Sequence, residues 1–410
     1  MVTRKSPTNT INTFVRSISV ATAGLAFAAA SLAAPSGPPI RVGGTLALTG
    51  PLASTALICK LAADTFIDQI NKKDGLLGRP VEWVLLDDQS KPDVARTLYE
   101  KLTTADKVDL LIGPYATGAI LSAMAVAERH GKMLIHSSFG IPKLAKYERH
   151  IPIAPFGSVP EDTFPNKLFD GLAAAGAAPK TIAVITSKFP SVHFMSLGAR
   201  EVAKKRGITE VLFLEFEFGA RDFGPIAARI RDAKPDFLWM GSIGLESNSL
   251  IEAMKKLDYM PKNHFHLYPA PGPLALSPDA QNALSGSFFE DHAPFTNDPD
   301  AREFAKGYRE RAVKAGLPYP EADQQAANVY ASWQVLAAAV TATKSLDDKV
   351  LTQWLNTNKV KTIYGPKPLR FDGLNNFGDD LMVVKQAQKN KWVVVWPLEF
   401  APPGVKMIVR

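Results

Sequence analysis

Side chains that could bind a small ligand lie in segments that each follow a predicted β-strand. The first segment is 113–118, with the sequence GPYATG, where Tyr115 lies in the loop and Thr117 opens a predicted helix. Unpaired N–H groups at a helix N-terminus favour an anion such as a carboxylate, and Thr117 adds a hydroxyl at the N-cap. The alternative role for Thr117 is to cap its own helix, as threonine commonly does.

The second segment is 136–142, with the sequence HSSFGIP, which follows the fourth predicted strand. Ser138, Phe139 and Gly140 are its candidate ligand-binding residues. Gly140 makes room for a ligand because it has no side chain. Phe139 offers a backbone group and an aromatic wall, unless its ring simply packs beneath the loop.

Two further segments contribute aromatic and polar candidates from the second half of the chain. Segment 187–194 contains Phe189 and His193, and His193 either donates a hydrogen bond to a ligand or lies on the surface. Ile243 follows another strand, and Tyr268 lies in the loop after 264–267. The stretch 264–276 contains no Asp or Glu. An ammonium group buried there without a counter-charge would cost several kcal/mol.

The sequence gives no sign of an enzyme, a metal site or a cofactor site. It lacks a G-x-S-x-G elbow, a Walker loop, an H-E-x-x-H motif and a C-x-x-C motif. The H-x-H pair of His264 and His266 has no nearby third ligand, so a structural role or an exposed position is favoured. Cys59, the single cysteine, lies in an apolar helical stretch and is expected to be buried. The formal net charge is +7, but no basic run carries interleaved aromatics, which argues against nucleic-acid binding.

The elements that must position these segments alternate between strand and helix. Predicted strands at 40–48, 81–86, 110–112 and 132–136 are separated by helices, and the pattern breaks at the prolines of 151–160. The alternation then restarts with strands at 181–185, 211–216, 237–240 and 264–267. This is an α/β pattern that predicts two doubly wound parallel-sheet lobes.

The rest of the chain predicts a hinge between the lobes. Two helices at 322–344 and 346–356 precede a strand pair at 382–386 and 391–396, turned at Lys389-Asn390. We assign 40–155 and about 321–400 to an N-terminal lobe, and 156–320 to a C-terminal lobe. Ligands of open α/β sheets bind beyond the carboxyl ends of the strands, so a cleft between the lobes is the expected site.

The first 33 residues have the features of a cleaved secretory signal. Arg4, Lys5 and Arg16 precede an uncharged, Ala-rich run, and Ser31-Leu32-Ala33 provides small residues before a cut. The alternative is a disordered Ala-rich tail. The signal predicts a periplasmic protein, and no later segment has about 18 consecutive apolar residues, the length of a membrane span.

Several short motifs, in order along 40–397, resemble the leucine/isoleucine/valine-binding proteins of ABC transporters. They are LTGP at 48–51, NKKDGLLGR at 71–79, DDQ at 87–89, LIGPY at 111–115, RDF at 221–223, FDG at 371–373 and KWVV at 391–394. The resemblance implies the type I periplasmic binding protein fold, hinged closure and a hydroxyl at Thr117 that contacts the ligand carboxylate. It also implies a Thr where this chain has Gly140, a Tyr near Ser191, a polar aromatic at Ile243 and an acid in the loop after 264–267, none of which is present.

These departures predict the ligand class. The carboxylate-binding helix N-terminus is kept and the acid for an ammonium group is absent, so we expect a small aromatic or hydrophobic carboxylate, benzoate-like or phenylpropenoid. A branched-chain amino acid or a small amide is the alternative. The expected partners are this ligand and a membrane permease, and the protein is expected to act as a monomer without a cofactor.

Overall fold

The computed structural model describes residues 1–3, 34–365 and 367–410, and strands and helices alternate through most of it. The twelve strands of the described part are β1 Ile40–Leu46, β2 Val81–Asp87, β3 Leu110–Ile112, β4 Leu134–His136, β5 His150–Pro152, β6 Thr181–Ser187, β7 Thr209–Phe216, β8 Phe237–Gly244, β9 Asn263–Pro269, β10 Leu284–Ser287, β11 Val383–Gln388 and β12 Lys391–Trp396. Its eleven α-helices are α1 Ala53–Asn71, α2 Pro92–Thr104, α3 Thr117–Arg129, α4 Pro160–Ala174, α5 Pro190–Lys205, α6 Gly224–Ala233, α7 Glu246–Lys256, α8 Pro271–Leu276, α9 Pro299–Lys314, α10 Gln324–Thr343 and α11 Asp348–Thr357.

The first sheet is entirely parallel, in the order β2-β1-β3-β4-β5. Its central strands β3 and β4 are buried along their whole length, as expected for strands covered by helices on both faces. Helices α1 and α2 each contact β1, and α3 packs against α2. We call this sheet and its helices the first lobe. The prediction of an α/β fold with two parallel-sheet lobes is confirmed by this sheet and the next.

The second sheet has the order β12-β11-β10-β9-β8-β6-β7 and forms the second lobe with α4 to α8. Strands β6 to β10 run parallel, while β11 and β12 are antiparallel additions at one edge. The turn between β11 and β12 uses Lys389 and Asn390, both at positive φ, as the sequence predicts.

Two parts of the predicted division between lobes are contradicted by this packing. The strand pair β11–β12 was assigned to the N-terminal lobe, but β11 pairs with β10 and completes the second sheet. The residues that form α9 were assigned to the C-terminal lobe, but this helix packs against α1 together with α10. Neither partner is near in sequence, so local patterns carried no information about the pairing.

Strands β5 and β10 and helices α4, α8 and α9 were missed in the sequence. Helix α4 begins with Pro160 at its first position and carries Pro165 inside, which argues against a helix in a sequence pattern. Pro165 has no N–H for the carbonyl of Glu161, and that carbonyl lies against Gly198 of α5, where a Cβ would come within 2.2 Å. The close approach of α4 and α5 therefore accommodates the proline.

The predicted signal segment and its cut at residue 33 lie outside the described residues, apart from residues 1–3. In the described part of the chain, no helix combines the length and the apolar character required to cross a membrane. Cys59 is buried as predicted, and burial raises the pKa of its thiol.

Candidate ligand-binding site

A cavity lies where the carboxyl ends of strands from both sheets meet the start of α10. Its space unoccupied by atoms is about 410 Å³, including its open mouth. The lining residues are Tyr115, Ala116, Ser138, Gly140, Phe156, Phe189, Ser191, Ile243, Tyr268, Phe288, Gln324, Gln325 and Asn328. Both lobes therefore contribute to this one site, the first lobe through its loops and through the start of α10.

The first lobe contributes the loops after β3 and β4. Ala116 has φ 77° and ψ 145°, a conformation that costs a residue with a Cβ about 1–3 kcal/mol. Its N–H donates to the hydroxyl of Ser138 at 2.8 Å, which joins the two loops. Helix α3 begins immediately afterwards, and no side chain caps its N-terminus. Its first N–H groups therefore remain available beside the cavity.

Thr117 connects the start of α3 to the loop after β4. It is the first residue of α3, so the predicted N-cap position belongs to Ala116 instead. Its side chain is fully buried, and its hydroxyl oxygen accepts a hydrogen bond from the N–H of Gly140 at 3.3 Å. Thr117 is absent from the cavity wall, and its direct contact with a ligand carboxylate stays a prediction that this geometry does not favour.

The second lobe supplies most of the aromatic wall. The ring centroids of Phe156 and Phe288 are 4.8 Å apart, and Phe156 lies edge-on to Tyr268 at 6.3 Å. Phe189 and Ser191 lie at the start of α5, opposite Gly140, where an added Cβ would lie 3.2 Å from the Cβ of Ser191. The two lobes thus meet closely at this end of the cavity, and Gly140 is the residue that allows it.

A second interlobe contact lies just outside the cavity. The ammonium nitrogen of Lys143, after β4, is 4.3 Å from the ring centroid of Phe194 on α5, within the range of a cation–π interaction. The lobes therefore also contact each other beyond the residues that line the cavity.

The cavity wall carries hydroxyl and amide groups but no charged side chain among the described residues that line it. Glu246 lies behind Ile243 and accepts hydrogen bonds from the N–H groups of Ile243 and Gly219, at 3.0 and 3.1 Å. Burial raises the pKa of Glu246, which those hydrogen bonds partly oppose. This carboxyl group therefore fixes the loop after β8 rather than facing the cavity.

The other nearby acid, Asp323, caps α10. Its carboxylate accepts from the N–H groups of Gln325 and Ala326, at 3.0 and 3.2 Å. Burial, reinforced by Glu290 and opposed by Lys385, raises the pKa of Asp323 to about 6. Unlike α3, helix α10 thus has its N-terminal dipole neutralised by a carboxylate.

Two buried polar atoms of the cavity wall have no hydrogen-bond partner among the described residues. They are the hydroxyl of Tyr268 and Oε1 of Gln324, in residues that are only 8% and 5% exposed. Buried polar atoms are nearly always paired, so an exception requires an explanation, and in a cavity wall a bound ligand would supply the missing partner. The Tyr268 oxygen lies 3.9 Å from the position of a Cβ at Gly140, on the α3 side.

Six of the nine predicted site residues line the cavity: Tyr115, Ser138, Gly140, Phe189, Ile243 and Tyr268. Besides Thr117, two others lie elsewhere. The ring of Phe139 packs against His136 and Phe377 in the first-lobe core, which corrects its expected role as an aromatic wall. Nε2 of His193 lies 2.6 Å from Oε1 of Glu215 on the surface of the second lobe.

Sequence reasoning missed the amide-bearing first turn of α10 and the rings of Phe156 and Phe288. The aromatic pair follows strands β5 and β10, which were themselves missed. The amides left a usable signal, since Gln324, Gln325 and Asn328 lie within five residues at the start of an otherwise Ala-rich, buried helix. A cluster of buried amides at a helix start is unusual enough to suggest a polar site.

Comparison with known proteins gives a consistent result at the level of family and fold. The family model described as "Periplasmic binding protein" matches residues 39–391. The Leu/Ile/Val-binding protein BraC3 of Rhizobium johnstonii is 24% identical over 318 residues, covering 75% of this chain and 81% of that protein.

Two solved structures share the fold. The leucine-binding protein LivK of Thermotoga maritima aligns with a TM-score of 0.73 at 17% identity, covering 87% of this chain and 97% of that one. A solute-binding protein of an ABC transporter from R. palustris, in complex with benzoate, aligns with a TM-score of 0.72 at 18% identity, covering 87% and 95%.

Proposed function

This chain belongs to the periplasmic binding protein family, and we propose that it is the solute-binding component of an ABC transporter for a small aromatic or hydrophobic carboxylate. The ligand is benzoate-like or phenylpropenoid, binds between the lobes and is delivered to a membrane permease. The protein acts in the periplasm, as a monomer and without a cofactor.

The observation that carries this proposal is the chemistry of the cavity wall. Phe156, Phe189, Phe288 and the rings of Tyr115 and Tyr268 offer apolar surface to an aromatic or aliphatic body. The described lining residues include no carboxylate to neutralise an ammonium group, which would be costly to bury alone.

The carboxylate of the ligand has donors at the α3 end of the cavity. Helix α3 presents free N–H groups there, and the unpartnered hydroxyl of Tyr268 points to the same end, beside Gly140. Helix N-termini and hydroxyl donors together stabilise an anion without any cationic side chain.

Binding would act through closure of the lobes. Because the ligand touches the first lobe at α3 and the second lobe at Tyr268, it stabilises the closed arrangement more than an open one. The closed form then presents both lobes to the permease. No bond is made or broken in this cycle.

A branched-chain amino acid or a small amide is the second candidate. The similarity to BraC3 favours the amino acid, and the amides Gln324, Gln325 and Asn328 favour a ligand with an amide group. These ligands belong in the same experiment as competitors.

The test is a thermal-shift screen of the purified protein with benzoate, cinnamate, leucine and benzamide, followed by calorimetric titration of each hit. We expect a raised Tm with the aromatic carboxylates and none with leucine, because only a ligand that binds the folded state raises it. A shift with leucine alone would overturn the aromatic-carboxylate proposal and support the amino acid.

The variant Tyr268→Phe removes only the hydroxyl and so tests whether that group binds the ligand carboxylate. We expect the affinity for benzoate to fall by about tenfold or more, since a hydrogen bond to a charged group contributes about 1.5–3 kcal/mol. Tyr147→Phe is the matched control, because the Tyr147 hydroxyl donates to the carbonyl of Lys132, away from the cavity. An unchanged affinity in Tyr268→Phe would exclude Tyr268 as the carboxylate donor.

A further inference from the structure

The cavity has a second polar end, at the first turn of α10, which the carboxylate does not explain. Oε1 of Gln324 is buried there without a partner among the described residues. Of its two amide neighbours, Asn328 accepts from the hydroxyl of Tyr364 through Oδ1, and the Gln325 side chain lies close to the Tyr115 hydroxyl. Among the described residues of this turn, Gln324 therefore carries the buried amide oxygen that has no partner.

Charge distinguishes the two ends of the cavity. At α3 the helix N-terminus is uncapped, which favours an anion. At α10 the N–H groups of Gln325 and Ala326 are occupied by the carboxylate of Asp323, which disfavours an anion close by. A ligand carboxylate is thus directed to α3, and its opposite end meets a neutral amide.

Tyr115 indicates the separation between these ends. Its backbone lies directly before Ala116 at the start of α3, while its hydroxyl reaches the side chain of Gln325 on α10. The Tyr115 side chain therefore connects the start of α3 with the first turn of α10. A ligand with a carboxylate and a hydroxyl on opposite sides of one benzene ring is similar in length to this tyrosine side chain.

From these contacts we infer that Gln324 is a specificity-determining residue that accepts a hydrogen bond from a hydroxyl group opposite the ligand carboxylate, so that the preferred ligands are para-hydroxylated aromatic acids. The inference rests on the proposed function and goes further by naming the second polar group of the ligand. A site built to bond a hydroxyl strongly rejects an analogue that lacks it, because its buried polar group is then left unpaired.

The test compares 4-hydroxybenzoate, benzoate and benzene-1,4-dicarboxylate by calorimetric titration of the full protein at pH 7.5. We expect 4-hydroxybenzoate to bind about tenfold more tightly than benzoate or better. The dicarboxylate should bind at least about tenfold more weakly than 4-hydroxybenzoate, because its second anion would lie near Asp323.

The variant Gln324→Leu should reduce the ratio of the benzoate Kd to the 4-hydroxybenzoate Kd to within about threefold, since it removes the acceptor but little volume. Gln353→Leu, on the exposed face of α11, is the control and should leave the ratio unchanged. If thermal melting shows that Gln324→Leu is unfolded, Gln324→Met replaces it, and the three-ligand comparison on the unsubstituted protein still decides.

Equal binding of benzoate and 4-hydroxybenzoate, or a preference that survives Gln324→Leu, would overturn the inference while leaving the proposed function intact. Binding of leucine without either aromatic acid would instead overturn the proposed function, and the inference with it.

Discussion

Ala116 is held at the centre of the candidate site in a backbone conformation that suits glycine. Its φ of 77° combines with a ψ of 145°, and the hydrogen bond from its N–H to Ser138 keeps it there. Strain of this kind persists where surrounding contacts impose it, and it is concentrated at functional sites. The strain therefore points to the same loops as the chemistry of the cavity.

Replacing Ala116 with glycine should be neutral or stabilising. We expect the free energy of unfolding to stay constant or to rise by up to about 1 kcal/mol, because glycine adopts this conformation without a steric penalty. The measurement is urea denaturation of Ala116→Gly beside Ala125→Gly. Ala125 is exposed within α3, where the same change should cost about 0.5–1 kcal/mol. Equal losses in both variants would contradict the strain argument.

Side-chain amides hold an additional segment onto the second sheet. Gln386, on β11, accepts from the N–H of Ile408 at 2.8 Å and donates to its carbonyl at 2.7 Å. Asn263, on β9, makes the same two-way contact with Arg410, at 3.2 and 3.1 Å. The segment 405–410 is therefore paired through side chains in the way that a strand is paired through backbone groups.

Gln386→Met tests how much this pairing contributes, since it keeps the volume and removes the amide. We expect the free energy of unfolding to fall by at least about 2 kcal/mol, because four hydrogen bonds are lost, to Asn282, Gln388 and both backbone groups of Ile408. Limited proteolysis should also cleave near 405–410 sooner. Gln353→Met, on exposed α11, serves as the control. Unchanged stability and unchanged cleavage would show that the segment is held by its apolar contacts alone.

Four buried histidines make the stability of the whole molecule depend on pH in the acid range. His136 and His150 stack in the first lobe, with ring nitrogens 2.9 Å apart, and His264 and His266 form a second pair in the second lobe. Burial lowers the pKa of His150 and of His264 to about 4, and burial beside a second imidazole holds the pKa of His136 and of His266 well below the usual range. In the folded protein these imidazoles are neutral where the unfolded chain binds protons.

The free energy of unfolding should therefore fall as pH decreases from about 6.5, the pKa of an unperturbed histidine, toward 4. His264 alone accounts for a loss on the order of 3 kcal/mol across that window. Asp323 opposes part of the loss, because its raised pKa lets the folded state take up a proton below about pH 6. Urea denaturation at pH 7 and pH 5 measures the slope, and His264→Asn should make it shallower. A stability that is flat between these pH values would contradict the prediction.

Local sequence patterns determined the architecture of this protein and the ends of the strands where its site lies. The alternation of β-rich and helical stretches predicted both sheets, and strand ends predicted Tyr115, Gly140 and Tyr268 at the cavity. These features depend on residues near one another in the chain, so they can be predicted from the sequence without the tertiary structure.

Only the tertiary structure decided which lobe received β11 and β12, and which polar groups face the cavity. Strand pairing across about 100 residues leaves no local pattern, so β11 could not be assigned to β10. Hydrogen-bond partners are equally non-local: Thr117 is engaged by Gly140, while Tyr268 and Gln324 are left unpaired. A side chain's availability depends on what packs against it, and that is settled only when distant segments meet.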